Sequence, residues 1–123
     1  MMALQQARTQ PIGQSILLNE MTQVIARTIA PEKIILFGSR ARGTASSYSD
    51  YDFLIIESQP FVKGRRRLER ATKVAWALSH FDVSTDILFF SIDEVEYWSQ
   101  SPNHVVSCAL REGQVLYERP TAS

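Results

Sequence analysis

The sequence has little cysteine, no net charge and no long apolar run. Cys108 is the only cysteine among 123 residues, which excludes an internal disulfide and a zinc site built from cysteines. Thirteen Lys and Arg balance thirteen Asp and Glu, so the chain has no overall attraction to nucleic acid or to an anionic membrane. Apolar runs such as 34–37 and 87–90 fall far short of the roughly 20 residues that cross a bilayer. We therefore expect neither a membrane span nor direct binding to nucleic acid.

Glycine and proline are also scarce, at five each, and no low-complexity tract is present. The composition is 45% hydrophobic and 21% charged, which excludes a disordered or collagen-like chain and is typical of a globular protein. At this length one compact domain is the default. We predict a single domain over 1–123 with a folded core of about 15–118. The start of the chain has no signal-peptide pattern, so we expect a cytoplasmic protein.

Apolar spacing and chain breakers predict the order helix, strand, strand, helix, strand, helix, helix, followed by a short edge strand. Ser91 followed by Glu94 fits a capping box at the start of the third helix. The order indicates an α+β, or mixed α/β, fold with a small mixed β-sheet flanked by helices. The predicted helices cover 15–29, 66–81, a short segment that Ser91 caps and that runs through Glu94 to Trp98, and 105–112. The predicted strands cover 33–37, 52–56, 83–90 and 114–117.

Several side chains carry structural predictions. Gly113 is expected to end the last helix as a left-handed cap, and Cys108 is interpreted as a buried core thiol. His80 and His104 have no second ligand at metal spacing and are interpreted as structural or surface residues. In the helix over 66–81, Trp76 is expected on the same side as one stripe of residues and is interpreted as a core or partner-facing aromatic; the stripe consists of Leu68, Ala71, Thr72, Ala75, Leu78 and Ser79.

The two signs of charge are unevenly distributed along the chain. Residues 33–70 hold eight basic and four acidic residues, whereas residues 82–96 hold five acids and no base. This division is expected of a site that holds both a metal ion and a nucleotide. The run Lys63-Gly64-Arg65-Arg66-Arg67 by itself is interpreted as a solvent-facing run of charge.

The link between the first two predicted strands is long, polar and rich in small residues. Such a loop inside a compact domain is usually functional. Gly38, directly after a strand, lets the backbone approach a ligand closely, and Ser39 offers an N–H and a hydroxyl to a phosphate oxygen. Arg40 and Arg42 are each expected either to bind phosphate or to pair with the aspartates that follow.

Two aspartates, Asp50 and Asp52, stand where this loop enters the second strand. The period of two in a strand places both carboxylates on one face, about 7 Å apart. Hard cations suit that separation. Mg²⁺ favours one or two carboxylates together with substrate phosphates and water, which a nucleoside triphosphate would supply here.

A third acid, Asp86, lies within the apolar run of the third predicted strand. A carboxylate in that setting is costly unless it is paired or binds a metal. If the third strand lies beside the second, Asp86 joins Asp50 and Asp52 around one or two metal ions, the arrangement used for in-line displacement at phosphorus. Asp82 is the competing candidate, although its place beside a helix end favours a turn or cap role.

The string Gly-Ser-Arg-Ala-Arg-Gly, which begins at Gly38, precedes Ser-Asp-x-Asp, which begins at Ser49. Together they resemble the signature of the nucleotidyltransferase superfamily related to DNA polymerase β, and most closely its minimal MNT branch. The sequence departs from that pattern in two ways. Tyr51 and Phe53 are bulkier than the aliphatic residues common there, and Thr85 stands before the third acid, where an aliphatic residue is more usual. The resemblance covers about residues 34–90, and the segment 111–117 resembles the usual ending of these domains.

The resemblance implies a Mg²⁺-dependent transfer of a nucleoside monophosphate from a nucleoside triphosphate, with ATP as the expected substrate and two metal ions. The implied metal ligands and catalytic residues are Asp50, Asp52 and Asp86, with Asp86 helping to activate the attacking hydroxyl. The implied nucleotide contacts are Gly38, Ser39, Arg40, Arg42 and Ser49.

The resemblance also implies a partner. Only two short helices are predicted after the third strand, so the acceptor surface must come from another protein or from a second copy. In the minimal branch the partner is a HEPN-domain toxin, whose tyrosine receives AMP from the MNT antitoxin. Two alternatives remain: an antitoxin without catalysis that neutralises its toxin by covering it, and nucleotidylation of a small molecule.

Overall fold

The computed structural model describes residues 12–62 and 66–120. Its architecture confirms the predicted α+β class, with helices on both faces of a small mixed sheet. The elements in chain order are α1 (Ile12–Ile29), β1 (Lys33–Phe37), α2 (Ser39–Arg42), β2 (Tyr51–Glu57), α3 (Arg67–Ala77), β3 (Thr85–Ser91), α4 (Ile92–Trp98), α5 (Val105–Glu112) and β4 (Gln114–Glu118).

Most predicted elements are present within a few residues of their expected bounds. β1 and α5 match the prediction at both ends, and β4 is an edge strand as expected. The capping box is also confirmed, because the Ser91 hydroxyl accepts from the Glu94 N–H and the Glu94 carboxylate accepts from the Ser91 N–H. The short helix α2 was not predicted, since it lies in the segment interpreted as loop.

The four strands form one sheet in the order β3-β2-β1-β4. β1 is antiparallel to both of its neighbours, whereas β2 and β3 are parallel. A parallel pair needs a crossover connection, and α3 provides it. This crossover brings the start of β3 beside the start of β2, at the end of the sheet where β1 finishes.

Side chains alternate between the two faces of the sheet along each strand, and both faces are buried against helices. On one face, β2 packs through Tyr51, Phe53 and Ile55 against residues of α1 and α3. On the other face, Leu54 and Ile56 pack with Ala109 of α5. The first face holds the larger core, whose fully buried members include Met21, Ile25, Ile34, Leu36 and Val74.

The carboxyl end of α1 is held by arginines from two other elements. Ala30 follows the helix with a positive φ of 45°, and Pro31 prevents further helix. Arg70 of α3 donates to the Ile29 carbonyl, and Arg119 donates to the Ala30 carbonyl. Cations are favourable beside the unpaired carbonyls at a helix end.

Arg70 also forms an ion pair with Glu57, which is only 2% exposed at the end of β2. Its Nε and Nη2 donate to the two carboxylate oxygens at 2.8 and 3.0 Å. This paired geometry is the favourable way to bury a carboxylate. The pair joins β2 and α3 to the end of α1.

The predicted stripe of α3 is only partly buried, because Leu78 lies in the core and Ala71 packs against it while the other members are exposed. Val74 and Leu78 face the core, whereas Leu68 is 73% and Trp76 is 80% exposed. Thr72, Ala75 and Ser79 are also exposed. The buried side of the helix carries positions 70, 74 and 78, and the Arg70 ion pair with Glu57 lies on that side.

Two predictions at the end of the chain were also wrong. Gly113 has an extended backbone, with φ −81° and ψ 174°, instead of a left-handed cap. Glycine is required at this position by the space available, because a Cβ there would lie 2.6 Å from Cγ2 of Ile35. Cys108 is partly exposed, and its sulfur accepts from Arg111 at 3.6 Å, because that face of α5 lies away from the sheet.

His104 has a structural role, as one of the two predicted possibilities stated. Its Nδ1 accepts from the Val106 N–H at the start of α5, and its ring stacks on Trp98 with centroids 4.1 Å apart. His80 is exposed. Of the basic run, residues 63–65 lie outside the described residues, and Arg66 is exposed as predicted. No helix in the described part of the chain has the length and hydropathy of a membrane span.

Candidate active site

The loop after β1 brings Gly38 against Asp52. Phe37 is the register partner of Asp52 in the antiparallel β1–β2 pair, so the next residue, Gly38, passes over the Asp52 side chain. Gly38 has φ 74° and ψ −159°, a region adopted almost only by glycine. A Cβ at this position would overlap a carboxylate oxygen of Asp52 and lie 3.1 Å from its Cγ. Both the backbone and the space therefore require glycine.

Asp50 and Asp52 occupy the entrance to β2. Asp52 alternates with the core residues Tyr51 and Phe53, which places it on the opposite face of the sheet, the one shared with Leu54. Asp50 directly precedes the strand and is exposed. It lies close enough to act electrostatically on Asp52. The pair thus opens to solvent on the side of the sheet that carries α4 and α5.

Asp86 lies directly beside Asp52 across the parallel β2–β3 pair, where the two residues are in register. Side chains in register on neighbouring strands point to the same face. Asp82 lies before β3 begins and is exposed. Of the two candidates for a third acid, Asp86 is therefore the one that the sheet places next to the aspartate pair.

Asp50, Asp52 and Asp86 form a group of negative charges centred on Asp52, which Arg42 offsets only in part. Burial raises the pKa of Asp52 above its ordinary value, the charges of Asp86 and Asp50 raise it further, and Arg42 lowers it. None of the three carboxylates makes a hydrogen bond or ion pair with any other residue that the structure describes. A bound cation would relieve this repulsion.

The donor set fits Mg²⁺ in chemistry, although no three-ligand cage is formed in advance. Within residues 12–62 and 66–120 no group of three His, Cys, Asp or Glu side chains is arranged to hold a metal ion. Mg²⁺ needs only one or two carboxylates, because substrate phosphates and water complete its octahedral shell. Asp52, with Asp50 and Asp86 near it, offers hard oxygen ligands of that kind.

The two arginines of the loop occupy different environments. Arg42 is half-exposed and forms a loose ion pair with Glu112, at 3.8 Å, near the end of α5. It is also the cation that acts on Asp52. Arg42 therefore lies on the side of the sheet that carries the acids.

Arg40, in contrast, is only 8% exposed. Its Nε and Nη2 both donate to the Ser49 carbonyl, at 3.1 and 2.9 Å, and its Cζ lies 4.0 Å from the centre of the Tyr51 ring. Among the described ion pairs, none joins Arg40 to an aspartate. Two of its donors are thus already used within the loop.

The two serines of the motif also differ. Ser49 lies in a local turn, where its hydroxyl accepts from the Ser46 N–H at 3.0 Å. The hydroxyl of Ser39 makes no hydrogen bond to a described residue. Ser39 follows Gly38 at the start of α2 and is partly exposed, so its hydroxyl is available to a ligand.

Two contributors to the site were missed by sequence reasoning. Glu112 forms an ion pair with Arg42, and the Tyr51 ring packs against the Arg40 guanidinium. Nothing in the periodicity of the sequence pairs Glu112 with a residue so distant along the chain. Tyr51 gave one signal, since it is bulkier than the aliphatic residues usual at its position.

Comparisons with known proteins identify the family of the chain. The family model "Polymerase beta, Nucleotidyltransferase" matches residues 19–122. No curated protein matches the chain significantly.

Solved structures share the fold. One chain of a toxin–antitoxin complex with AMP-PNP is 23% identical over 81% of this chain and 73% of its own, with a TM-score of 0.53. A Sulfolobus solfataricus protein described as a nucleotidyltransferase is 20% identical over 84% and 78%, with a TM-score of 0.57. A chain from the complex of tri-AMPylated Shewanella oneidensis HEPN toxin with MNT antitoxin is 22% identical over 85% and 72%, with a TM-score of 0.52. Because the family model spans most of the sequence, the protein belongs to the polymerase β nucleotidyltransferase family.

Proposed function

We propose that the protein is a Mg²⁺-dependent nucleotidyltransferase and an antitoxin, which transfers AMP from ATP to a tyrosine hydroxyl of a HEPN toxin in the cytoplasm. The observation that carries the proposal is the position of Asp52, which is in register with Asp86, lies within electrostatic reach of Asp50 and is overlain by Gly38. Such a cluster of hard oxygen ligands beside a glycine turn suits a metal-bound triphosphate.

The acids of the cluster would hold the cation, with Asp50 and Asp52 as the principal ligands. When bound, Mg²⁺ supplies charge neutralisation at the phosphates and a lower pKa for the attacking hydroxyl. Burial raises the pKa of Asp52, and the charges of Asp86 and Asp50 raise it further; this supports the assignment, because a carboxylate that is desolvated and repelled by its neighbours is stabilised by a cation.

The loop would bind the triphosphate. The turn at Gly38 brings the backbone next to the acids without an intervening side chain, and Ser39 presents its free hydroxyl. Arg42 would exchange its loose pair with Glu112 for a phosphate oxygen, which accepts a charge-assisted hydrogen bond. Ser49 orients the turn that leads into Asp50.

The proposed transfer is a single displacement at the α-phosphorus of ATP. The tyrosine oxygen forms a bond to the α-phosphorus, and the bond from that phosphorus to the oxygen bridging to the β-phosphorus breaks. Pyrophosphate leaves with the electron pair of the broken bond. Asp86, which is exposed on its edge strand, would accept the proton of the tyrosine hydroxyl.

The partner and the acceptor are proposed from the similar complexes. One of them contains a HEPN toxin that is AMPylated and bound to an MNT antitoxin, and another contains AMP-PNP.

The test is co-expression with the cognate toxin, followed by the intact mass of the toxin. The proposal predicts a gain of one or more AMP units, lost in Asp52→Asn and Asp86→Asn and retained in the matched control Asp82→Asn. An antitoxin that acts only by covering its toxin would bind the toxin and leave its mass unchanged. That result, with a stable complex, would overturn the catalytic proposal. Equal loss in Asp82→Asn and Asp86→Asn would contradict the assignment of the third acid.

A further inference from the structure

Arg40 is a buried cation that makes no described ion pair with a carboxylate. Removing a guanidinium from water is costly unless its hydrogen bonds and charge are compensated. Compensation here comes from the Ser49 carbonyl, which accepts two of its N–H groups, and from the face of the Tyr51 ring. An apolar side chain would fill this space at lower cost, so stability alone does not account for an arginine.

The two partners of Arg40 are the residues on either side of Asp50. Ser49 precedes Asp50, and Tyr51 lies between Asp50 and Asp52. The Tyr51 ring belongs to the core on the α1 and α3 side of the sheet, whereas Asp52 lies on the other side. Arg40 therefore contacts the start of β2 from the α1 and α3 side of the sheet, opposite the side that carries the carboxylates.

The planar guanidinium is suited to this position. Its Nε and Nη2 form a fork that reaches one carbonyl with two donors, while its flat face lies against the ring. These contacts fix the backbone from Ser49 to Tyr51 and hence the direction in which Asp50 leaves the chain. A carboxylate that binds a metal ion must be held within a fraction of an ångström of its working position.

We propose that Arg40 is a positioning residue, which fixes the segment from Ser49 to Tyr51 so that Asp50 and Asp52 converge on one cation. The inference rests on the proposed metal site and assigns Arg40 a role other than phosphate contact. Arg42, on the opposite side of the strand, keeps the phosphate role.

Metal affinity and nucleotide affinity separate these two roles. Mn²⁺ binding would be followed by electron paramagnetic resonance with α,β-methylene ATP present, because its α–β bridge resists transfer. Arg40→Met is expected to weaken Mn²⁺ binding about 10–100-fold, the range found when a group supporting a metal ligand is removed. Arg40→Lys, which keeps the charge and one donor, is expected to fall between Arg40→Met and the unchanged protein. The affinity for the analogue without metal is expected to stay within about twofold in both variants.

Arg42→Met is the matched control and is expected to show the opposite pattern, with weaker analogue binding and little change in Mn²⁺ affinity at saturating analogue. Two results would overturn the inference: loss of metal-free analogue binding in Arg40→Met, which would make Arg40 a phosphate contact, and a lowered Tm with unchanged Mn²⁺ affinity, which would make it purely structural.

Asp52→Asn separates this inference from the proposed function. If Asp52→Asn abolishes Mn²⁺ binding and Arg40→Met does not weaken it, only the role of Arg40 is wrong. If Asp52→Asn leaves Mn²⁺ binding intact, the metal site itself is wrong and the role of Arg40 falls with it. Tyr51→Leu provides a second variant, which removes the ring and keeps both hydrogen bonds to Ser49, and it is expected to weaken Mn²⁺ binding less than Arg40→Met does.

Discussion

Gly38 and Asp52 face each other so closely that a single methyl group on Gly38 would overlap a carboxylate oxygen of Asp52. The closeness follows from register, since Phe37 pairs with Asp52 and the chain then turns over it. The turn and the acid therefore form one structural unit. A change at either residue alters the other.

Gly38→Ala is expected to remove activity through Asp52. The positive φ makes alanine unfavourable by about 1–3 kcal/mol, and the new methyl group displaces the carboxylate. Mn²⁺ affinity and thermal unfolding would measure the two effects separately.

Gly43→Ala is the matched control for Gly38→Ala. Gly43 also has a positive φ, 79°, but nothing lies within 4 Å of a Cβ there. It should lose about 1–2 kcal/mol of stability from the backbone alone and keep metal affinity. Equal metal affinity in the two variants would contradict the close packing of Gly38 on Asp52.

Asp52→Asn is expected to raise the Tm of the metal-free protein at neutral pH while abolishing transfer. The pKa of Asp52 is raised in the folded state, so its ionised form destabilises the fold at any pH above that pKa. As the pH falls through the raised pKa, the folded protein takes up the proton and the penalty disappears. The difference in Tm between Asp52→Asn and the unchanged protein should therefore shrink toward acidic pH. A lower Tm for Asp52→Asn at neutral pH would contradict the cost that burial and the neighbouring acids place on the ionised Asp52 carboxylate.

Arg70→Ala is expected to destabilise the protein by about 3 kcal/mol, because it removes the arginine partner from a buried carboxylate. Glu57 is 2% exposed and pairs with Arg70 through both oxygens. The control is Arg67→Ala, whose pair with Glu94 is far more exposed and is worth less than about 1 kcal/mol. Urea unfolding of both variants would measure the difference, and equal losses would refute the role of the buried pair.

Val74→Ala and Trp76→Ala test which face of α3 is buried. Val74 is fully buried, and its truncation should cost about 2 kcal/mol. Trp76 is 80% exposed, so its truncation should change stability by no more than about 0.5 kcal/mol. The free energy of unfolding in urea decides between them. A larger loss at Trp76 would restore the arrangement that apolar spacing predicts.

The sequence predicts the strands of this fold well, because short β-branched runs between chain breakers have few alternatives. β1 at Lys33–Phe37 is the clearest case. The buried side of α3 was predicted only in part, because apolar spacing there favours Leu68, whereas the buried side carries Val74, Leu78 and the tertiary pair of Arg70 with Glu57. Local patterns carry no information about such a pair.

In the candidate site, too, the sequence predicts the local features and leaves the tertiary ones open. The spacing of Asp50 and Asp52 at a strand entrance is a local feature and was predicted from the sequence. The register that places Asp86 beside Asp52 is a property of the assembled sheet and could be stated only as a condition. The different surroundings of Arg40 and Arg42 depend on which side of the strand each side chain passes, which two neighbouring arginines in one motif do not reveal.

The parallel pairing of β2 with β3 has a consequence for how quickly the protein folds. Asp52 and Asp86 become neighbours only when the crossover through α3 closes, and the loop closure that distant contacts of this kind require slows folding. The mutual repulsion of the carboxylates then opposes the closing step itself. Neutralising one acid should therefore speed refolding after dilution from denaturant more than it slows unfolding, so the same charges that would hold a substrate also delay the chain in reaching its native state.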